Sequence, residues 1–433
     1  MAKDIQGLGL GLAVRFSGSE FARKYKLRRP AEKLAYAGTK KGFEVIGQMV
    51  AKKKAKKSED PKMLPEPSTA GLFDLTLSEE QQMIKDTVRS YAEEVVRGLA
   101  HDANEDMKLP ETYLQDIMDL GLNYFSVPES MGGAAQSYSP TTNAIIAEEL
   151  AWGDFSLAYA TLAPVAVANA IVKWGNQKQK EKYLPEYLAE TPVKAAIAVQ
   201  EPAPLFDPAK LSAKAKKTKA GYTISGVKSL VPFGGEASMY LVAARYKRRN
   251  RLFIVPGDAP GVQWQAAPAM GLRATSTGTL TLDKVLLGPD ALLGDDSFNF
   301  EAFMDLGQLH WCALAIGACQ AALDYLIPYV NEREAFGEPI SHRQAVAFMV
   351  ANIGIELESM RLMVWRAAAL AEAGKPFHRE AYLAHILCSE KAMEIGTNAV
   401  QLLGGHGYTK EHPAERWYRD LRVLACINGG MHL

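Results

Sequence analysis

Met349, Ile353, Leu357, Met360, Val364 and Ala368 recur every three or four positions, the period of one apolar face of an α-helix. A second helical run from Ala381 to Leu403 stops at Gly404-Gly405, where a glycine can supply a left-handed cap for the last carbonyls. Upstream, Ser78 and Gln81 have the spacing of a capping box, and Ile84, Val88, Tyr91 and Val95 continue from it as one amphipathic face. From about Ala195 the period becomes that of strands. Tyr240-Leu-Val-Ala, Arg251-Leu-Phe-Ile254-Val255 and Leu280-Thr-Leu-Asp-Lys-Val285-Leu are short, rich in strand formers, and bounded by Gly, Pro and charge. The predicted order is helices, a small antiparallel barrel, then helices again. No apolar run approaches the length needed to cross a bilayer.

A chain of 433 residues exceeds what one core covers. The pattern predicts a basic extension over residues 1–57, a Pro-rich linker over 58–72, a helical domain over 73–194, a β-barrel domain over 195–295 and a C-terminal helical domain over 296–433. The formal net charge of zero is uneven, because residues 1–57 hold 15 Lys/Arg against 4 Asp/Glu and the remainder is correspondingly acidic. An acidic body is a poor partner for nucleic acid. Cys312, Cys319, Cys388 and Cys426 lack the paired spacing of a disulfide or zinc site, which fits a reducing compartment, and no other metal-ligand spacing occurs.

The extension begins with Gly7-Leu8-Gly9-Leu10-Gly11-Leu12, too short and Gly-rich for a secretory signal and lacking the strand and helix of a dinucleotide fingerprint. Farther on, Leu34, Phe43, Val45 and Ile46 alternate with Lys33, Lys40 and Lys41 ahead of a lysine cluster ending at Lys57. Such a basic amphipathic helix can lie on an anionic membrane; a solvated tail, or a helix packed on the body, fits the pattern equally. A mitochondrial transit peptide is disfavoured by Asp4, Glu20, Glu32 and Glu44.

The most specific spellings are Arg333-Glu-Ala-Phe336-Gly337, Gln344 seven residues later, and Gln401-Leu-Leu-Gly404-Gly405-His-Gly407-Tyr408. An Arg fork and uncovered backbone N–H groups at the ends of two antiparallel helices can meet at one anion. Together these motifs resemble the C-terminal domain of the flavin-dependent acyl-CoA dehydrogenases, and the resemblance extends over roughly residues 73–430. It implies a mainly α fold with a central β-barrel: an N-terminal helical domain, the barrel, and a C-terminal four-helix bundle. It further implies FAD held by Arg333, Phe336 and Gln344 across a subunit interface and by Gln401, Gly404 and Gly405 from another chain. A homodimer or homotetramer, an acyl-CoA thioester substrate and an electron-transfer flavoprotein partner follow from the same resemblance.

Two stretches depart from the family beside the flavin ring. Where hydroxyl residues are usual, Gln200, Phe206 and Pro232 stand, and Pro offers no donor of any kind. The departure at the catalytic base is sharper. The family removes an α-proton with a Glu, and its two known positions hold Asn428 and Gly307 here. His310, one turn after Gly307, is the candidate replacement; a histidine satisfied in a helix contact is the bland alternative. Asp305 and Glu301 are expected to project away from Gly307, and Glu201 matches a structural residue. Two functions therefore follow: α,β-desaturation of an acyl-CoA by an FAD enzyme with a displaced base, or a silent subunit that binds FAD or an active homologue for assembly. Either implies a cytoplasmic location, with contact at the inner face of a membrane through residues 1–57, or the mitochondrial matrix in a eukaryote.

Overall fold

The computed structural model describes residues 75–135 and 137–427, so the basic extension and the Pro-rich linker, with the membrane contact expected of the former, lie outside the described residues. The first helix, α1 (Glu79–Tyr91), starts as its capping box predicts. Ser78 Oγ accepts from the Gln81 N–H at 3.1 Å, and the Ser78 N–H donates to Gln81 Oε1 at 3.1 Å. Beyond Tyr91 a single π-helical turn, Ala92–Val96, precedes α2 (Arg97–Asp106). Its wider winding rotates the buried face, so Ala92 and Val96 are fully buried and Val95 only half-buried. The predicted apolar face thus slips by one residue after Val88.

Helices α3 (Tyr113–Asp119), α4 (Pro140–Gly153), α5 (Phe155–Trp174) and α6 (Gln177–Tyr183) complete the N-terminal helices. Asp154 caps α5 through Oδ1, which accepts from the Leu157 N–H at 3.0 Å, and its Oδ2 takes Arg416 Nε at 3.0 Å. Both members of that pair are buried, which ties α5 to the far end of the chain.

Seven strands form one curled sheet, a half-barrel: β1 (Ala195–Ala198), β2 (Lys214–Thr218), β3 (Gly221–Val231), β4 (Met239–Tyr246), β5 (Arg249–Pro256), β6 (Val262–Ala266) and β7 (Gly278–Leu287). The order is β1-β4-β2-β3-β7-β6, with β5 paired to β4. The antiparallel expectation holds for most pairs but not for all. β1 lies parallel to β4, and β2 meets β4 in parallel at Lys214 and Arg245. Parallel neighbours are joined through long crossovers, which local strand signals do not reveal. Under the sheet, Lys228 is fully buried and donates to Glu201 Oε1 at 2.9 Å and to the Val199 carbonyl at 3.0 Å.

The C-terminal part is a bundle of α7 (Phe300–Glu332), α8 (Gln344–Glu372), α9 (His378–Leu403) and α11 (Ala414–Leu421), with the short α10 (Gly405–Tyr408) between the last two. Ile353, Leu357, Met360, Val364 and Ala368 are all buried along α8, as their spacing predicts. α7 also packs against α4. A Cβ at Gly317 would stand 2.0 Å from the Glu148 carbonyl oxygen, so only glycine permits that approach. By length and composition α5 and α7 are apolar enough to cross a membrane, which corrects the sequence reading. Their apolar windows are 72% and 61% buried inside the protein, so core packing accounts for the composition.

Candidate active site

A cavity of about 140 Å³ opens between α5, α7 and the sheet. From α7 come Gly307, His310 and Trp311, three and four positions apart on one face. The Trp311 ring lies on Tyr159 of α5 with centroids 4.6 Å apart. The sheet contributes through an irregularity: the β3–β7 register shifts between Lys228 and Val231, and Leu230 takes a φ of 55°. That bulge turns Ser229 and Leu230 to the cavity wall beside Gln200.

Among the described residues the lining contains no Asp or Glu. At Gly307 an added Cβ would meet nothing within 4 Å, so the vacant position faces open space. His310 lines the same wall and has no hydrogen-bond partner among the described residues. Burial pushes its pKa down to about 4, so the ring is neutral near pH 7. Ile427 also lines the cavity, whereas Asn428 lies outside the described residues.

The carboxylates near these positions in sequence are committed elsewhere. Asp305 is buried, with both oxygens 3.0 Å from His378 Nδ1, and Glu301 approaches the same ring at 3.8 Å. Glu201 accepts from the Ser212 and Ala213 N–H groups at 2.7 and 3.0 Å as well as from Lys228. Burial raises its pKa, but Lys228 and those N–H groups outweigh burial and hold the carboxyl below its ordinary value. Burial also pushes Lys228 down to about 8. Phe206 and Pro232, expected beside a flavin ring, are buried and do not line the cavity. Gln200 does line it, and its Oε1 is buried without a partner.

The motif residues sit at one end of the bundle. Arg333 ends α7, and one turn earlier Tyr329 donates to the Leu403 carbonyl at 3.4 Å and meets His406 Nδ1 at 2.9 Å, so the ends of α7 and α9 adjoin. Arg333, Gln344, Gln401, Gly404 and Gly405 are exposed, and the three long side chains have no partner among the described residues. Gly404 has φ 59° and ψ −130°, a glycine conformation but not the left-handed cap expected. β8 (Glu334–Ala335) and β9 (Glu338–Pro339) form a hairpin whose central residues, Phe336 and Gly337, have φ of 57° and 83°. Phe336 is 97% exposed in that costly conformation, with the Arg343 guanidinium 5.6 Å from its ring centroid.

Models of the N-terminal, middle and C-terminal domains of acyl-CoA dehydrogenases match residues 78–191, 196–285 and 300–431. The chain belongs to the acyl-CoA dehydrogenase family. The short-chain specific acyl-CoA dehydrogenase of Bos taurus mitochondria is 33% identical over 367 residues, covering 82% of this chain and 87% of that protein. Among solved structures, the butyryl-CoA dehydrogenase of Megasphaera elsdenii superposes with a TM-score of 0.76 at 27% identity, over 83% of this chain and 97% of that one. A glutaryl-coenzyme A dehydrogenase in complex with glutaryl-CoA gives 0.75 at 25% identity, over 83% and 94%.

Sequence reasoning missed four polar residues of this acyl-CoA dehydrogenase cavity. Ser229 lies three residues before Pro232, in a stretch that departs from the family, a signal that was available. Tyr138, Asn143 and Asn169 sit in stretches without a motif.

Proposed function

We propose that this chain is an FAD-dependent acyl-CoA dehydrogenase that desaturates a short acyl-CoA thioester between its α and β carbons. The cavity carries the reading. An apolar cavity of about 150 Å³ takes a benzene, so about 140 Å³ accommodates roughly six heavy atoms, a short acyl chain. The exposed, unpartnered Arg333, Gln344 and Gln401 suit a dinucleotide: a guanidinium fork and amides for its phosphates and adenosine, with uncovered N–H groups at Gly404-Gly405. Gln200 Oε1 and the Ser229 hydroxyl supply an acceptor and a donor at the cavity wall for the edge of a flavin ring. When bound, the flavin supplies the acceptor for the β-hydride.

His310 is the proposed base. Among the described residues it is the one imidazole on the wall, neutral near pH 7, and a free ring nitrogen can take the α-proton. Apolar walls exclude water around that transfer. Homo-oligomerisation is supported by Phe348, Ile355 and Leu362, 46–64% exposed at heptad spacing along α8, and by the exposed Phe336. An electron-transfer flavoprotein as acceptor rests on family membership; the mitochondrial matrix, in a eukaryote, rests on the mitochondrial relatives.

A second reading, a silent subunit, is favoured by the absence of any carboxylate from the lining among the described residues and by the low basicity of His310. Anaerobic addition of butyryl-CoA to the flavin-loaded protein separates the two. Bleaching of the flavin spectrum that falls about a hundredfold in His310→Gln supports the enzyme and its base. Bleaching unchanged by that substitution removes His310, and bound flavin that no short thioester bleaches favours the silent subunit.

A further inference from the structure

Beyond the first cavity lies a second one of about 360 Å³, lined by the start of α1, the segment before α4 and Glu372. Tyr138, Asn143 and Asn169 line both. The wall between the chambers is therefore polar, although the first chamber is otherwise mostly apolar. An interaction with the Asn143 side chain partly offsets the burial that raises the Tyr138 pKa. Asn169 is different. It is 7% exposed, and its Nδ2 is buried without any hydrogen-bond partner among the described residues. A buried amide donor is ordinarily satisfied.

The surroundings of Asn169 show that apolar alternatives fit the same helix. Along α5 the positions that line the first cavity are otherwise aromatic or aliphatic, among them Tyr159, Leu162, Ala163 and Ala166. A chain ending in a methyl group would leave the Asn169 donor unpaired. One ending in an oxygen acceptor would satisfy it. The second chamber is lined by the hydroxyls of Ser126, Ser137, Ser139 and Thr142 and has room for the solvation of such a group.

Resting on the reading of the first cavity as an acyl-thioester site, we infer that Asn169 selects short acyl-CoA substrates whose distal end carries a hydrogen-bond acceptor, a hydroxyl or a ketone, over their methyl-ended counterparts. Asn169 is thus a specificity residue, and Tyr138 and Asn143 complete the polar wall.

Calorimetric titration of the purified, flavin-loaded protein with thioesters of equal length tests this. Butyryl-CoA and pentanoyl-CoA are compared with 4-hydroxybutyryl-CoA and 4-oxopentanoyl-CoA, in wild type and in Asn169→Leu. Wild type is expected to bind the polar-ended ligands about fivefold to tenfold more tightly, the worth of one neutral hydrogen bond, and Asn169→Leu to abolish or reverse that preference. Asn169→Ala, which removes the amide without adding apolar volume, gives the same loss of preference if the leucine variant does not fold. Equal binding of both classes by wild type, or a preference that survives both substitutions, overturns the role of Asn169. Failure of every thioester to bind overturns the reading of the cavity itself, and this inference with it.

Discussion

Gly307→Glu puts a carboxylate at a position where the resemblance to the family implies a catalytic base. A Cβ at Gly307 meets nothing within 4 Å, and the residue faces the cavity, so the new side chain enters free space. Replacing a mid-helix glycine by glutamate also gains about 0.5 kcal/mol of helix propensity. The apolar walls raise the pKa of the introduced carboxyl, which brings it nearer to neutrality. His310, by contrast, is held at about 4. A positioned base with a matched pKa contributes about 10²–10⁴-fold to a proton-transfer step, the expected gain when Gly307→Glu is added to His310→Gln. The assay is single-turnover bleaching of bound flavin by butyryl-CoA in an anaerobic stopped-flow instrument. A double variant that holds flavin and thioester as wild type does, yet bleaches no faster than His310→Gln alone, refutes the premise that a substrate's α-carbon lies within reach of position 307.

With His310 as base, the bleaching rate of wild type is level near pH 7 and falls as the pH drops through about 4, where the imidazole takes up its proton. Asp420, fully buried and accepting from the Leu272 N–H at 2.8 Å, has its carboxyl pushed up to about 7 by burial and by Asp154. A carboxyl raised on folding contributes stability at low pH that is lost as the pH climbs to 7. Asp420→Asn keeps the acceptor and removes the charge, so urea unfolding at pH 5 and pH 8 should find the wild type losing about 2–4 kcal/mol more than the variant; parallel slopes would contradict this. Phe336→Asn creates an Asn-Gly pair suited to two positive φ angles. It is expected to raise thermal stability by about 1 kcal/mol and to weaken FAD binding several-fold in a fluorescence titration. Unchanged FAD affinity would remove Phe336 from the cofactor site.

Local spacing determined the start of α1, the buried face of α8 and the stop after Leu403, because capping and a 3.6-residue period act between neighbours in the chain. The family was legible for the same reason: Arg333, Phe336 and Gln344 lie within one short stretch. The π-turn after Tyr91 moved the buried position from Val95 to Val96, a choice made by packing rather than by pattern. Only the tertiary structure joined β1 to β4, placed Ser229 on the wall through a bulge, and set Asn169 between two chambers. A helix face of alanines and leucines gives no sign that one asparagine on it lacks a partner. That depends on which groups other segments bring near, and no spacing along one segment encodes it.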